Sequence, residues 1–282
     1  MQWRCRQRVL DLTRPVVMGI LNVTPDSFSD GGRHAGTEAA LERAARMVEE
    51  GAAIIDVGGE STRPGAAAVP EDVEIARVVP VIEGIAAASG IAISIDSSKP
   101  KVMAAAVAAG ACIINDVYAL RMPGAREYAA STGVGVCLMH MQGEPRTMQD
   151  RPHYDDVVAE VSAFLLREQN ACIEAGIARN AIALDPGIGF GKLMEHNFAL
   201  LRELSYFATL GAPLLVGVSR KSFIGRILGK PVDERLYGGL ALAALAVSQG
   251  ANIIRTHDVA PTLDAIRMLS AVQGTIAQRI EG

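Results

Sequence analysis

No lysine- or arginine-rich run occurs in the 282-residue chain, and its 27 basic and 31 acidic residues leave a formal net charge of -4 and a pI near 5.8. Nucleic acids and anionic membrane surfaces call for a concentrated positive patch, so a small molecule is the expected partner. No C-x-x-C spacing is present either. The four cysteines, Cys5, Cys112, Cys137 and Cys172, lie far apart, and two of them fall inside apolar runs, which reads as reduced structural thiols. No signal peptide or membrane span is readable, because Arg4, Arg6 and Arg8 precede only a short apolar stretch broken by Asp11, Arg14 and Asn22. A cytoplasmic protein is expected. No linker or low-complexity segment interrupts the chain, so a single domain over 1–282 is expected, with residues 1–14 leading into the first strand.

What the chain does have is hydrophobic residues, half of the total, enough to bury a large core. They are organised as short apolar runs alternating with amphipathic stretches, the signature of βα units on a parallel sheet. Gly-Ala-x-Ile-Ile occurs three times, at Gly51, Gly110 and Gly250. Glycine suits the position just past a helix, and Ile-Ile favours a strand buried on both faces, so each repeat reads as a helix end followed by a strand. Eight strands are predicted, over 16–22, 53–57, 92–96, 112–116, 135–140, 182–185, 214–218 and 252–256. Eight closes a barrel. A helix is predicted to open near Thr37 and stop at Gly51, and another to run from Asp155 to Gly176. A one-domain α/β (β/α)8 TIM barrel fits the length best, with a doubly wound open sheet as the alternative.

In such a barrel the site forms at the carboxyl ends of the strands, where the apolar runs give way to polar residues. Asp96, Asn115, Asp185 and Lys221 together offer acceptors and donors able to read the edge of a flat, nitrogen-rich heterocycle. Arg63, Arg255, His257 and the hydroxyls of Ser61 and Thr62 suit an anion. One pocket for a polar ring and a phosphate-like group is the reading. Bland readings compete at single positions: Asp116 is as well suited to capping, His34, His153 and His196 to the surface, and His140 to orienting a loop. The glycines of "DPGIGFGK" are not a Walker loop, which would need glycine at Pro186 and a hydroxyl at Leu193, and they miss the dinucleotide spacing. Close packing of the loop against a ligand accounts for them better. A Schiff base on Lys221 is disfavoured, since no apolar pocket around it is readable.

Seven segments, "MGILNVTPDSFSDGG" (18–32), "DVGGESTRPGA" (56–66), "IDSSKP" (95–100), "INDV" (114–117), "LDPGIGFGK" (184–192), "GVSRKSFIG" (217–225) and "RTHDV" (255–259), resemble the successive motifs of the dihydropteroate synthase family, in that family's order over almost the whole chain. The resemblance implies a TIM barrel and a transferase that joins p-aminobenzoate to 6-hydroxymethyl-7,8-dihydropterin pyrophosphate, giving dihydropteroate on the route to folate. It implies that Asp96, Asn115, Asp185 and Lys221 hold the pterin, with Met139, Phe190 and Gly217 shaping the walls. Asn22, Thr62, Arg63, Arg255 and His257 would take the pyrophosphate, Asn22 through Mg2+. Phe28, Ser61, Thr62, Arg63, Pro64, Ser219 and Lys221 would enclose p-aminobenzoate, where sulfonamides compete in this family. Arg63, Lys221, Arg255 and His257 are the groups expected to act in catalysis, and a homodimer is expected. Ser97, Tyr118, Gly239 and Thr256 depart from the family's usual residues, which touches packing more than activity. Two alternatives are weighed. A corrinoid methyltransferase with a similar pterin pocket would not be expected to carry "NVTPDSFSDGG" and "STRPG", and a non-catalytic pterin-binding paralogue would have lost loop or anion residues.

Overall fold

In the computed structural model, which describes residues 1–24, 32–61, 68–144 and 146–274, eight parallel strands run in the order in which the chain makes them. A two-stranded antiparallel hairpin precedes them, β1 (Gln2–Cys5) and β2 (Arg8–Asp11). The barrel strands are β3 (Val16–Asn22), β4 (Ile54–Gly58), β5 (Ala92–Asp96), β6 (Ile113–Asp116), β7 (Gly135–Met139), β8 (Ile182–Asp185), β9 (Leu215–Gly217) and β10 (Ile253–Thr256). β10 pairs with both β9 and β3, and a parallel bridge from Leu184 to Leu214 joins β8 to the start of β9, so the sheet closes on itself. The eight predicted strands and the barrel are thus all found, with ends within a residue of expectation.

Helices fill the crossovers: α1 (Gly32–Glu49), α2 (Glu71–Ala88), α3 (Pro100–Ala109), α4 (Ala125–Thr132), α5 (Val157–Glu174), α6 (Met194–Arg202), α7 (Leu204–Phe207), α8 (Ser222–Leu228), α9 (Leu236–Ser248) and α10 (Val259–Val272). α1 opens earlier than its sequence predicts, at Gly32. α5 starts at Val157, two residues after its predicted Asp155, because Asp156 is the cap whose carboxylate accepts from the Val158 and Ala159 amides. Among the described residues no helix is long and apolar enough to cross a membrane.

The Gly-Ala-x-Ile-Ile repeats do the same work each time. Gly51, Gly110 and Gly250 have φ of 94°, 126° and 98°, in the left-handed region, and the alanine amide that follows each bonds back into the helix just ended. The first isoleucine of each doublet, Ile54, Ile113 and Ile253, points into the barrel. The second, Ile55, Ile114 and Ile254, packs under the helical shell. Side chains alternate across a strand, so the doublet is buried on both faces. Each such burial stabilises by about 1.5–3 kcal/mol, as an upper estimate.

The lower interior is dry. Met18, Ile54, Ala92, Ile113, Cys137, Ala183, Leu215 and Ile253 form one cluster with Trp3, Cys5 and Leu12 from the hairpin. Residues 1–14 therefore stopper the amino-terminal end of the barrel, beyond simply leading into its first strand. Trp3 is fully buried and its indole Nε1 donates to the Ala181 carbonyl at 2.9 Å. A Cβ on Gly135 would stand 2.5 Å from Cys5 Sγ, so only glycine lets the stopper seat. All four cysteines are free and buried, as expected. Trp3→Ala is expected to cost about 3–5 kcal/mol by opening a cavity and orphaning the Ala181 carbonyl. Urea unfolding measures it, and a loss under about 1 kcal/mol would mean that the hairpin is a mere appendage.

Candidate active site

Two residues beyond each inward isoleucine, the strand again points into the barrel, now near its carboxyl end. In the three repeats those positions hold Asp56, Asn115 and Arg255, and all three meet at one oxygen. Asp56 Oδ2 accepts from Arg255 Nε at 2.6 Å and from Asn115 Nδ2 at 3.0 Å. The other arm of the guanidinium, Nη2, reaches Asp96 Oδ2 at 2.6 Å. The repeats thus contribute scaffold and a single polar cluster on top of it. By taking the amide NH2 of Asn115, Asp56 leaves the Asn115 carbonyl oxygen as the group available to a ligand.

Asp56 is fully buried, and among the described residues its Oδ1 has no hydrogen-bond partner; neither has Ser94 Oγ on the adjoining strand, in register with Asp56. Burial pushes the Asp96 carboxyl above its ordinary range, with Arg255 opposing and the neighbouring carboxylates of Asp56, Glu74 and Asp116 reinforcing. Burial works against the Arg255 charge, but Asp56 and Asp96 outweigh it and hold the guanidinium ionised more firmly than in water. Sequence reading placed Asp56 at a strand end without assigning it to the site. Its role depends on a partner 199 residues away, which barrel closure alone brings near.

The opposite wall is built on β8 and β9. Asp185 Oδ1 accepts from the Gly187 amide at 2.7 Å; burial raises this carboxyl too, against that bond and the charges of Lys221 and Lys192. The Lys221 ammonium lies 4.0 Å from the centre of the Phe190 ring, a cation–π contact, and burial lowers its pKa to about 8 with Asp185 opposing. The expectation that no apolar surface surrounds Lys221 is therefore corrected. Phe190 belongs to a small cluster with Val117, Tyr118, Met139, Met141 and Met148, an adaptable apolar wall beside the carboxylates. Gly217 faces Arg255, whose Cβ would lie 3.8 Å from a Cβ added there.

The glycines of 187–191 pack against protein, which corrects the reading that they pack against a ligand. A Cβ at Gly187, φ 68°, would fall 1.9 Å from the His140 carbonyl oxygen, and one at Gly189, φ 85°, 2.9 Å from Lys221 Cδ. Beneath this loop lies Lys192, buried at 3% exposure, which the sequence reading passed over. Its ammonium contacts the carbonyls of Gly187 and Phe190 at 2.9 Å each and of His140 at 3.3 Å, and His140 Nδ1 at 3.0 Å. Among the described residues no carboxylate bonds it, and burial brings its pKa down to about 7 against the charge of Asp185. His140 is buried with it, and burial, then Lys192, depress its pKa, so the imidazole is a neutral brace. Asp116 is a cap: its carboxylate accepts from Ser98 Oγ and from the Tyr118 and Leu120 amides.

On the anion side, Ser219 Oγ and His257 Nδ1 are 3.0 Å apart, tying the ends of β9 and β10. Arg220 holds a left-handed φ of 58°, secured by its 2.7 Å ion pair to Asp258, and this turn presents Ser219 and Lys221 to the same cavity. Asn22 ends β3; its Oδ1 and Asp96 Oδ2 each lie 3.7 Å from where a Gly58 Cβ would stand. Ser61 is half-buried just past β4. Phe28, Thr62, Arg63 and Pro64 lie outside the described residues.

Asp56→Asn keeps the shape but removes the charge opposite Arg255, and is expected to weaken pterin binding about tenfold or more. Calorimetric titration decides it; unchanged affinity would reduce Asp56 to a space-filler. Lys192 makes a second prediction. Its folded pKa of about 7 lies below the ordinary 10.5, so between those values the unfolded chain holds a proton that the folded chain has released. Its contribution to stability therefore rises with pH across that window. Urea unfolding at pH 7 and pH 9 should show the wild type gaining on Lys192→Met, and parallel behaviour would refute the lowered pKa of Lys192.

Comparison with known proteins agrees with this geometry. Residues 18–257 match the family described as pterin binding enzyme. The dihydropteroate synthase of Escherichia coli K12 is 55% identical over 262 residues, 93% of each chain. A Yersinia pestis dihydropteroate synthase solved with a sulfonamide drug superposes with a TM-score of 0.92 at 50% identity, covering 97% of this chain and 100% of that one. A Xanthomonas albilineans dihydropteroate synthase solved with 7,8-dihydropteroate gives a TM-score of 0.88 at 47% identity, covering 97% and 99%. The motifs, the barrel and the polar cluster at its mouth are all explained at once: this chain belongs to the dihydropteroate synthase family of pterin-binding enzymes.

Proposed function

We propose that this barrel mouth joins p-aminobenzoate to 6-hydroxymethyl-7,8-dihydropterin pyrophosphate, making 7,8-dihydropteroate and releasing pyrophosphate. The observation that carries the reading is the convergence of Asn115 and Arg255 on Asp56, with Arg255 also bonding Asp96, beside Asp185, Lys221 and an apolar wall that includes Met139 and Phe190. A pterin edge presents N–H donors beside ring acceptors. Asp96 and Asp185 would take the N–H groups, the Asn115 carbonyl another, and the Lys221 ammonium would donate to the ring carbonyl and nitrogen. The carbon bearing pyrophosphate is attached to an electron-rich ring, so its C–O bond can break ahead of amine attack, the electron pair leaving with the bridging oxygen. The amine lone pair then forms the C–N bond, and the amine loses a proton.

Two charges develop, and the residues answer each. Asp96 and Asp185 favour the cationic ring. Arg255 and His257, with Thr62 and Arg63 outside the described residues, would bind and neutralise the departing pyrophosphate. Asn22 offers a neutral oxygen beside Gly58, a ligand of the kind Mg2+ accepts, and among the described residues no cluster of three acidic, histidine or cysteine side chains could hold a metal by itself. The ion would therefore be shared with the substrate, and when bound it supplies positive charge to the phosphate oxygens. Phe28, Ser61, Thr62, Arg63, Pro64 and Ser219 would enclose the arylamine. A homodimer of cytoplasmic protomers completes the reading, favoured by the exposed apolar side chains of Ile227 and Leu228 on α8 and Tyr237 on α9.

Pyrophosphate release, followed with Mg2+ present and with p-aminobenzoate present or absent, tests the proposal; release and dihydropteroate should rise together when the arylamine is added. Pterin binding without turnover, under conditions where an active synthase turns over, would overturn it. Asp96→Ala is expected to abolish binding of the free pterin, whereas Arg255→Ala should weaken the pyrophosphate ester more than the free pterin. Equal effects of the two substitutions on the two ligands would refute the division of roles.

A further inference from the structure

Three residues just past the strand ends, Glu60, Glu74 and Lys99, form a partly buried knot. Lys99 stands three residues beyond Asp96 and is the residue before α3. Its ammonium donates to Glu60, to the Val69 carbonyl at 2.7 Å and to Glu74 Oε2 at 2.6 Å, so each of its three protons has an acceptor. Glu60 in turn accepts from the Val69 amide through its other oxygen at 3.1 Å. Both polar groups of the Val69 backbone are thereby held, one by each partner of the Lys99–Glu60 ion pair. Glu74, on α2, is fully buried. The preceding residue, Gly59, is pressed onto the same helix: a Cβ there would lie 2.8 Å from Val78 Cγ1 and 2.9 Å from Glu74 Cγ, and its carbonyl accepts from Arg77 at 2.8 Å.

The knot ties Glu60 to Val69 just past β4, on either side of residues 61–64 in the sequence. A surface ion pair would contribute little, but this one is half-buried, has every donor matched and grips backbone on both sides. We propose that Lys99 and Glu60 are positioning residues for the arylamine half of the reaction, fixing the two ends of the stretch that carries Ser61, Thr62, Arg63 and Pro64 relative to the strand end that carries Asp96. The proposal rests on the reading of those four residues as the p-aminobenzoate side. Lys99 contacts neither substrate; it acts through the backbone it holds.

The test separates the clamp from the site it serves. Glu60→Ala removes the Val69 amide bond and one acid while leaving the buried Lys99–Glu74 pair intact, so it folds where Lys99→Met risks leaving Glu74 unpaired. Initial rates against p-aminobenzoate are measured for Glu60→Ala, Lys99→Met and Arg63→Ala, and free 6-hydroxymethylpterin is titrated calorimetrically into each. The clamp predicts that Glu60→Ala, and Lys99→Met where it folds, raise the KM for p-aminobenzoate about tenfold or more and leave the pterin Kd within about twofold. An unchanged KM in Glu60→Ala, or a pterin Kd that rises by the same factor, overturns it. If Arg63→Ala leaves the KM unchanged while Glu60→Ala raises it, the clamp stands and the assignment of Arg63 falls. If Arg63→Ala raises it and Glu60→Ala does not, the assignment stands and the clamp falls.

Discussion

A guanidinium held between two carboxylates inside a closed barrel organises this protein's mouth. Arg255 bonds Asp56 through Nε and Asp96 through Nη2, both at 2.6 Å, and without it two carboxylates on neighbouring strands would face one another at the end of a dry interior. Taking one ion out of water costs several kcal/mol, and only good geometry with further bonds offsets it. Here Asn115 supplies one of those bonds, while Asp56 Oδ1 has no hydrogen-bond partner among the described residues. The pocket is therefore prepaid in the sense that its polar groups are already oriented before a ligand arrives, which is what electrostatic preorganisation means.

That cluster can exist only because what lies beneath it is apolar and sealed. The inward positions one layer down are Met18, Ile54, Ala92, Ile113, Cys137, Ala183, Leu215 and Ile253, and the hairpin residue Trp3 stoppers them. Strand parity links the two layers: the residue two positions beyond an inward isoleucine must also face inward. This is why so much of the fold was legible. Gly-Ala-x-Ile-Ile states where a helix stops, where a strand begins and which side chain enters the barrel. In two of the three repeats the polar residue two places beyond the first isoleucine, Asn115 or Arg255, is one the sequence assigned to the site.

What escaped the sequence has physical reasons. The hairpin turns through Arg6 and Gln7, with Arg6 at a left-handed φ of 57°, where a reader looks for glycine or asparagine; its strands are four residues each and half exposed. Asp56, Lys192 and Lys99 escaped for a different reason. Each is recognisable only by what it touches, and those partners come from distant segments: Arg255 for Asp56, the His140 carbonyl and ring for Lys192, Glu60 and Val69 for Lys99. An aspartate at a strand end announces itself, but a lysine within a glycine-rich motif is as easily assigned to a phosphate as to the loop's own carbonyls. The glycines of that loop misled in the same way, because the surface that excludes their side chains is protein.

The choice of cation at each position follows from whether its charge must be permanent. Arginine occupies the place between Asp56 and Asp96, where loss of charge would leave two acids together, and its pKa is moved further up by them. Lysine occupies the two places where burial outweighs the carboxylate opposite: Lys221 against Phe190, lowered to about 8, and Lys192 under the 187–191 loop, lowered to about 7. Asp96 and Asp185 are moved up by the same burial. On the proposed mechanism, a neutral dihydropterin entering this cavity would meet carboxylates that burial disfavours as ions, and a ring becoming cationic as the pyrophosphate leaves would be the species that satisfies them best. The groups whose burial is electrostatically costly would thus be the ones that favour the charge of the transition state, and the apolar layer beneath them would give that difference its size.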